Sequence, residues 1–181
     1  MNEDLTEYQK KLNALLYSDS DAIFANYSQN HARCIIRTFL DSAESTAIFL
    51  SGDFGAGVYA EQPIRDAIIA AVRRGVDMRV VSLGQDESSR HCLEELAQML
   101  DKQRNPQVCG QFRYRLGVVR ANAQVQHYMV VDGKRYRLEA AHANPVPESV
   151  HAEVCCNGKA KAAVLSGMFN AVWGRLEQTH A

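Results

Sequence analysis

The segment Gln62–Gly84, QPIRDAIIAAVRRGVDMRVVSLG, constrains the fold more than any other part of the chain. Ile64, Ala67, Ile68, Ala71 and Val72 recur at the spacing that places them on one face of an α-helix. Pro63 suits the first helical turn, where its missing N–H costs nothing, and Gly75 stands where a C-cap belongs. The apolar run VDMRVVSLG follows at once and reads as a strand. Upstream, TAIFLSG (Thr46–Gly52) reads as a short buried strand ended by glycine. Strand, helix and strand in close succession predict a parallel β-α-β unit, and therefore an α/β domain.

The flanking segments extend this pattern. Leu5, Tyr8, Leu12, Leu15 and Leu16 form an amphipathic stripe, which the turn-forming Ser18–Asp21 interrupts. A second helix is expected over Gln29–Ser42, and another over DESSRHCLEELAQMLDKQ. After Asn105-Pro106 the character changes: QFRYRLGVV, AQVQHYMVVD, KRYRLEAA and HAEVCC are four strand-like runs, and Asp132-Gly133 between two of them signals a hairpin. The closing helix carries an apolar face of Leu165, Phe169, Val172, Trp173 and Leu176. The expected fold class is α/β: a mixed sheet flanked by helices, parallel in its first half and hairpin-built in its second. Residues 1–28 are expected to form a helical extension and residues 29–181 the α/β domain.

Charge narrows the function. Twenty Lys and Arg against 21 Asp and Glu leave no positive excess, so whole-molecule charge does not favour nucleic acid, although a local basic patch is compatible with it. The N-terminus opens on acidic residues without an apolar segment of the signal-peptide kind, and no apolar run approaches the ~20 residues that span a bilayer. A cytoplasmic protein with reduced cysteines and no membrane insertion is expected. His142, His151, Cys155 and Cys156 match no strong zinc spacing, so neither a metal nor a cofactor is expected.

Four stretches, FLDSAESTAIFLSG, IRDAIIAAVRRGVDMRVV, VQHYMVVDGKRYRLE and FNAVW, resemble the phospholipase D-like superfamily in its single-motif, endonuclease-like form, over roughly Gln29–Leu176. The resemblance implies a mixed α/β sheet and a signature of H-x-K, four residues, then D. In that signature the histidine attacks phosphorus and the lysine stabilises charge on the phosphoryl oxygens. Anchored on Asp132, the signature puts Val125 in the nucleophile's place and His127 in the lysine's. Valine has no lone pair and cannot form the covalent intermediate. A second register, with His127 as nucleophile, leaves Met129 and Lys134 in the partner places and fails as well. The expectation is a pseudoenzyme.

The remaining candidates carry alternatives. In a regular strand, Val125, His127, Met129 and Val131 share one face, as do Arg135, Arg137 and Glu139 on the next strand. His127, Arg137 and Glu139 could then form a ligand or anion contact; the plainer reading is a packed histidine beside an ion pair of Arg137 with Glu139 or Asp132. Arg113, Arg115, Arg135 and Arg137 could form a nucleic-acid patch; the plainer reading is a charged, solvated sheet edge. GDFGAGVY is expected to be a flexible loop rimming any surviving pocket, since ligands bind at strand ends of such sheets. The N-terminal stripe either caps the core or docks a partner. The partner is expected to be another protein, with the chain as inhibitor or adaptor; plasmid fertility inhibition aimed at a conjugation ATPase or coupling protein is one concrete form. A homodimer is implied by the resemblance. Nucleic-acid regulation and residual phosphodiesterase or nuclease activity are the alternatives.

Overall fold

A computed structural model describes residues 5–84, 87–102, 110–119, 124–141 and 151–178. Asn105-Pro106, Cys109, His142 and Asn144–Pro147 lie outside the described residues. The elements run α1 (Leu5–Leu16), β1 (Ile23–Asn26), α2 (Gln29–Asp41), β2 (Thr46–Ser51), a 3-10 turn (Gly57–Ala60), α3 (Gln62–Arg73) and β3 (Asp77–Ser82). They continue with α4 (Glu87–Asp101), β4 (Phe112–Leu116), β5 (Tyr128–Val131), β6 (Arg135–Glu139), β7 (Ala152–Cys155) and α5 (Lys159–Gln178).

All seven strands form one sheet in the order β1-β7-β6-β5-β2-β3-β4. β2, β3 and β4 are parallel, whereas β5 pairs antiparallel with β2 and starts the run β5-β6-β7-β1 of antiparallel neighbours. The sheet is therefore mixed in the halves expected. Pro63 lies in the first turn of α3, and Gly75, at φ 106°, follows its C-cap. Asp132 and Gly133 both have positive φ, and Lys134 N–H donates to Val131 O across the turn at 3.2 Å.

One apolar core lies between the sheet and the layer of α1 to α4, and includes Phe49, Met129, Val131 and Val154. A second lies under α5, where Leu50, Tyr128, Val130 and Tyr136 meet Leu165, Phe169 and Trp173. Cys155 belongs to the second core and Cys156 to the first, so the vicinal pair projects to opposite sides as expected for a strand. Tyr8, Leu12 and Leu16 are buried, and Tyr8 stacks on His31 at 4.0 Å, so α1 caps the core through α2. β1 is not anticipated by the sequence. Its four residues form a strand because β7 supplies antiparallel partners from far along the chain.

Candidate functional site

Ser51, His127 and Glu139 converge because β2, β5 and β6 bring their ends to one edge of the sheet. There they line a cavity of about 40 Å³, roofed by Ala32 and Ile36 of α2 and by Tyr59 beyond the loop after β2. That volume holds on the order of one to three waters. A polar frame forms its floor. Arg137, 1% exposed, donates from Nε to Asn26 Oδ1 at 2.8 Å and from Nη1 to the Glu139 carboxylate. Asn26, fully buried, also donates to Ser28 O at 2.7 Å, and Ser28 caps α2 by accepting from His31 N–H. The expected ion pair is thus Arg137 with Glu139, and both residues share the cavity with His127. Tyr59 closes the roof as a neutral phenol: burial raises its pKa, an effect that nearby Arg137 opposes and Glu139 reinforces.

His127 is 3% exposed, and its Nδ1 lies 3.3 Å from both Ser51 Oγ and Gly52 N. A backbone N–H can only donate, so Nδ1 accepts and the neutral ring carries its proton on Nε2. This tautomer, assigned from the hydrogen-bond network, presents a donor where a nucleophilic imidazole needs a lone pair. Val125 departs from the face expected of it. β5 begins only at Tyr128, and the chain at 125–127 makes no continuous strand, so the period of two fails there. Val125 packs in the core under α5, whereas Met129 and Val131 belong to the opposite core and His127 lines the cavity.

Asp132 has a structural task at the far end of β5. Its carboxylate accepts from the N–H groups of Glu44, Ser45 and Thr46 and from Ser45 Oγ, and pairs with Arg135 Nη1 at 2.6 Å. Burial alone would raise its pKa, but the hydrogen bonds from Ser45, Thr46 and Glu44 hold it below the ordinary carboxylate value. At φ 52° it also fills a backbone position that aspartate tolerates better than most residues.

The four arginines considered as one patch are divided. Arg135 and Arg137 are buried and ion-paired, while Arg113 and Arg115 lie on β4 at the outer edge. Arg115 stacks on Trp173 with its guanidinium carbon 4.4 Å from the ring centroid, and Arg79 lies over Phe169 and Trp173. Arg79 and Arg113 are register partners, so three arginines gather at the β3–β4 edge. Sequence reasoning overlooked Arg79, although its alternation with buried Met78 and Val80 was the available signal. It also overlooked Asn26, which carries no local signal at all. The glycine loop is packed rather than open at one point: a side chain on Gly55 would collide with the backbone of Ser88 and Ser89, and Gly55 N–H donates to Ser89 Oγ. Among the described residues no helix is long and apolar enough to cross a membrane, and no group of three or more His, Cys, Asp or Glu side chains is arranged to hold a metal.

A mixed sheet in this order, layered between four helices and one, with a cleft at the strand ends, defines a phospholipase D-like fold. Solved structures give that class its particular members. Nuc from Salmonella typhimurium, a phospholipase D family member, superposes with a TM-score of 0.60 at 18% identity, over 84% of this chain and 94% of its own. NucT from Helicobacter pylori gives 0.54 at 13% identity, over 83% and 95%. TrmBL2, an archaeal chromatin protein with a novel mode of DNA binding, gives 0.58 at 14% identity, over 94% of this chain and 59% of its own. No family model and no curated protein matches the sequence.

Proposed function

We propose that this phospholipase D-like domain is a pseudoenzyme that acts by binding another protein, as an inhibitor or adaptor. The observation that carries the reading is the fate of the two motif positions. Val125 is part of an apolar core, and His127, in the place the signature gives to lysine, turns Nδ1 to Gly52 N–H and Ser51 Oγ at 3.3 Å. The small cavity and the neutral Tyr59 support the same reading, since neither offers room or a substitute nucleophile. The test is paired. Purified protein should leave a generic phosphodiester and DNA uncleaved, and tagged protein in its native cell should return a stoichiometric protein, with a conjugation ATPase or coupling protein as the first candidates to probe. Turnover lost in His127→Ala would overturn the reading.

A second reading, regulation through nucleic acid, is favoured by one cluster: Arg79 and Arg115 over Trp173, with Arg113 the register partner of Arg79. TrmBL2, which shares the fold, binds DNA. It predicts affinity that falls steeply with salt and weakens in Arg113→Ala.

A further inference from the structure

The sheet has two edges, and they are built differently. β4 carries Arg113 and Arg115, charges of the kind that discourage a further strand from adding. β1 at the opposite edge reads Ile-Phe-Ala-Asn, with neither a charge nor a proline. Ile23 is 62% exposed and Tyr27, just past its end, is 60% exposed. The main packing of α5 is against β2, β4, β5 and β6, so this face of β1 lies beyond its cover. Beside the strand runs a groove of about 500 Å³, lined by Ile23, Ala25, Tyr27, Leu138, His151 and Glu153 among others.

We propose that β1 and this groove receive an extended, basic segment of a partner protein, which joins the sheet as a further strand. The proposal rests on the protein-binding reading above and gives it a place and a chemistry. Main-chain hydrogen bonds to this edge, which pairs with no further strand among the described residues, would supply affinity, and alternate side chains entering the groove would supply specificity. Charge selects the occupant. The described lining includes the carboxylates Glu139 and Glu153 and no lysine or arginine. Glu139 is compensated by Arg137, whereas Glu153 accepts from the Tyr136 phenol, which brings no positive charge to offset it. Asp21 adds another carboxylate just before the strand, and its main-chain carbonyl accepts from Cys155 Sγ at 3.3 Å. A segment alternating apolar residues with lysine or arginine fits both the open apolar side chains and this field.

The test pans random peptides displayed on phage against the whole protein, with Ile23→Lys as the counter-selecting variant. Ile23 is largely exposed, so the variant keeps the fold while placing a charge on the edge. Enriched peptides should alternate apolar and basic residues. A synthetic copy should slow amide exchange at Ile23–Asn26 and lose about ten-fold affinity or more for Ile23→Lys, the worth of one apolar side chain's burial. Tyr27→Ala should weaken it too, as should N-methylation of alternate peptide amides. The proposal is overturned by no enrichment, by acidic consensus sequences, by peptides that bind Ile23→Lys equally well, or by protection elsewhere. A dimer disrupted by Ile23→Lys would assign the edge to a second copy and overturn it as well. None of these outcomes restores chemistry to the cavity, so the pseudoenzyme reading fails only on phosphodiester turnover.

Discussion

Replacing Asp132 with alanine should destabilise the protein by about 4–5 kcal/mol, although the resemblance would make it a signature residue. Arg135 Nη1 sits 2.6 Å from the carboxylate, and the two side chains are 5% and 8% exposed. Breaking such a pair from one side leaves a buried charge uncompensated, at a cost of about 3–5 kcal/mol. The N–H groups of Ser45 and Thr46 lose an acceptor as well, and hydrogen bonds to a charged group contribute about 1.5–3 kcal/mol each when counted singly. These contributions overlap, because water can solvate the freed N–H groups of an exposed turn, so the ion-pair cost sets the scale. For a chain of this length, 4–5 kcal/mol corresponds to a fall in Tm of roughly 8–20 °C. Asp132→Asn retains an oxygen acceptor and tolerates the positive φ, so it should lose about half as much.

The pH dependence separates this account from simple packing loss. The folded-state pKa of Asp132 is lowered, so its contribution is fully present above its unfolded value of about 3.9 and disappears as pH falls through the lower folded value. Urea unfolding of wild type and Asp132→Asn should therefore show a constant gap from pH 6 to 8, and the gap should begin to narrow below about pH 4 and close as pH falls through the folded value. An Asp132→Ala variant within about 1 kcal/mol of wild type, or a gap that persists at low pH, would refute the assignment of this residue to structure.

Three further outcomes follow from the same contacts. Val125→His combined with His127→Lys should remain inactive on phosphodiesters, because position 125 points into the core under α5; acquired turnover would show that both positions reach the cavity. Arg137→Leu alone should cost about 3–5 kcal/mol by stranding Glu139, whereas Arg137→Met with Glu139→Leu should recover most of that loss in thermal melts. Tyr8→Ala should remove the stack on His31 and about 3 kcal/mol, with faster amide exchange across Leu5–Leu16 as the local readout.

Sequence legibility followed the locality of the signal. The α3–β3 unit was readable because short-range features sit together: a first-turn proline, a stripe at helical spacing and a C-terminal glycine, all within one segment. The Asp132-Gly133 hairpin was readable for the same reason, and it fixed the facing of Arg135, Arg137 and Glu139 toward one side. What failed depended on distant partners. β1 exists only through β7, and the polar frame of the cavity is completed by Asn26, which is joined to Arg137 across an intervening strand. The period-of-two argument for Val125 failed because it presumed a strand where the backbone had not yet entered the ladder. Grouping four arginines presumed adjacency of strands that the sheet order places apart.

The polar frame around His127 has a physical role that requires no substrate. A buried ion pair is costly to desolvate, and well-packed apolar residues often serve stability as well or better. Arg137 and Glu139 therefore call for an explanation other than stability, and the geometry supplies one. From β6, Arg137 reaches past β7 to Asn26, the last residue of β1, and Asn26 in turn holds the carbonyl of Ser28, which caps α2. A four-residue edge strand has little packing of its own to fix its position. The Arg137–Asn26 bond ties its end to the centre of the sheet and to the first turn of α2. A side-chain pair at the floor of the cavity thus positions the strand that we propose as the docking edge, so the residues where chemistry would be expected act on the molecule's own architecture.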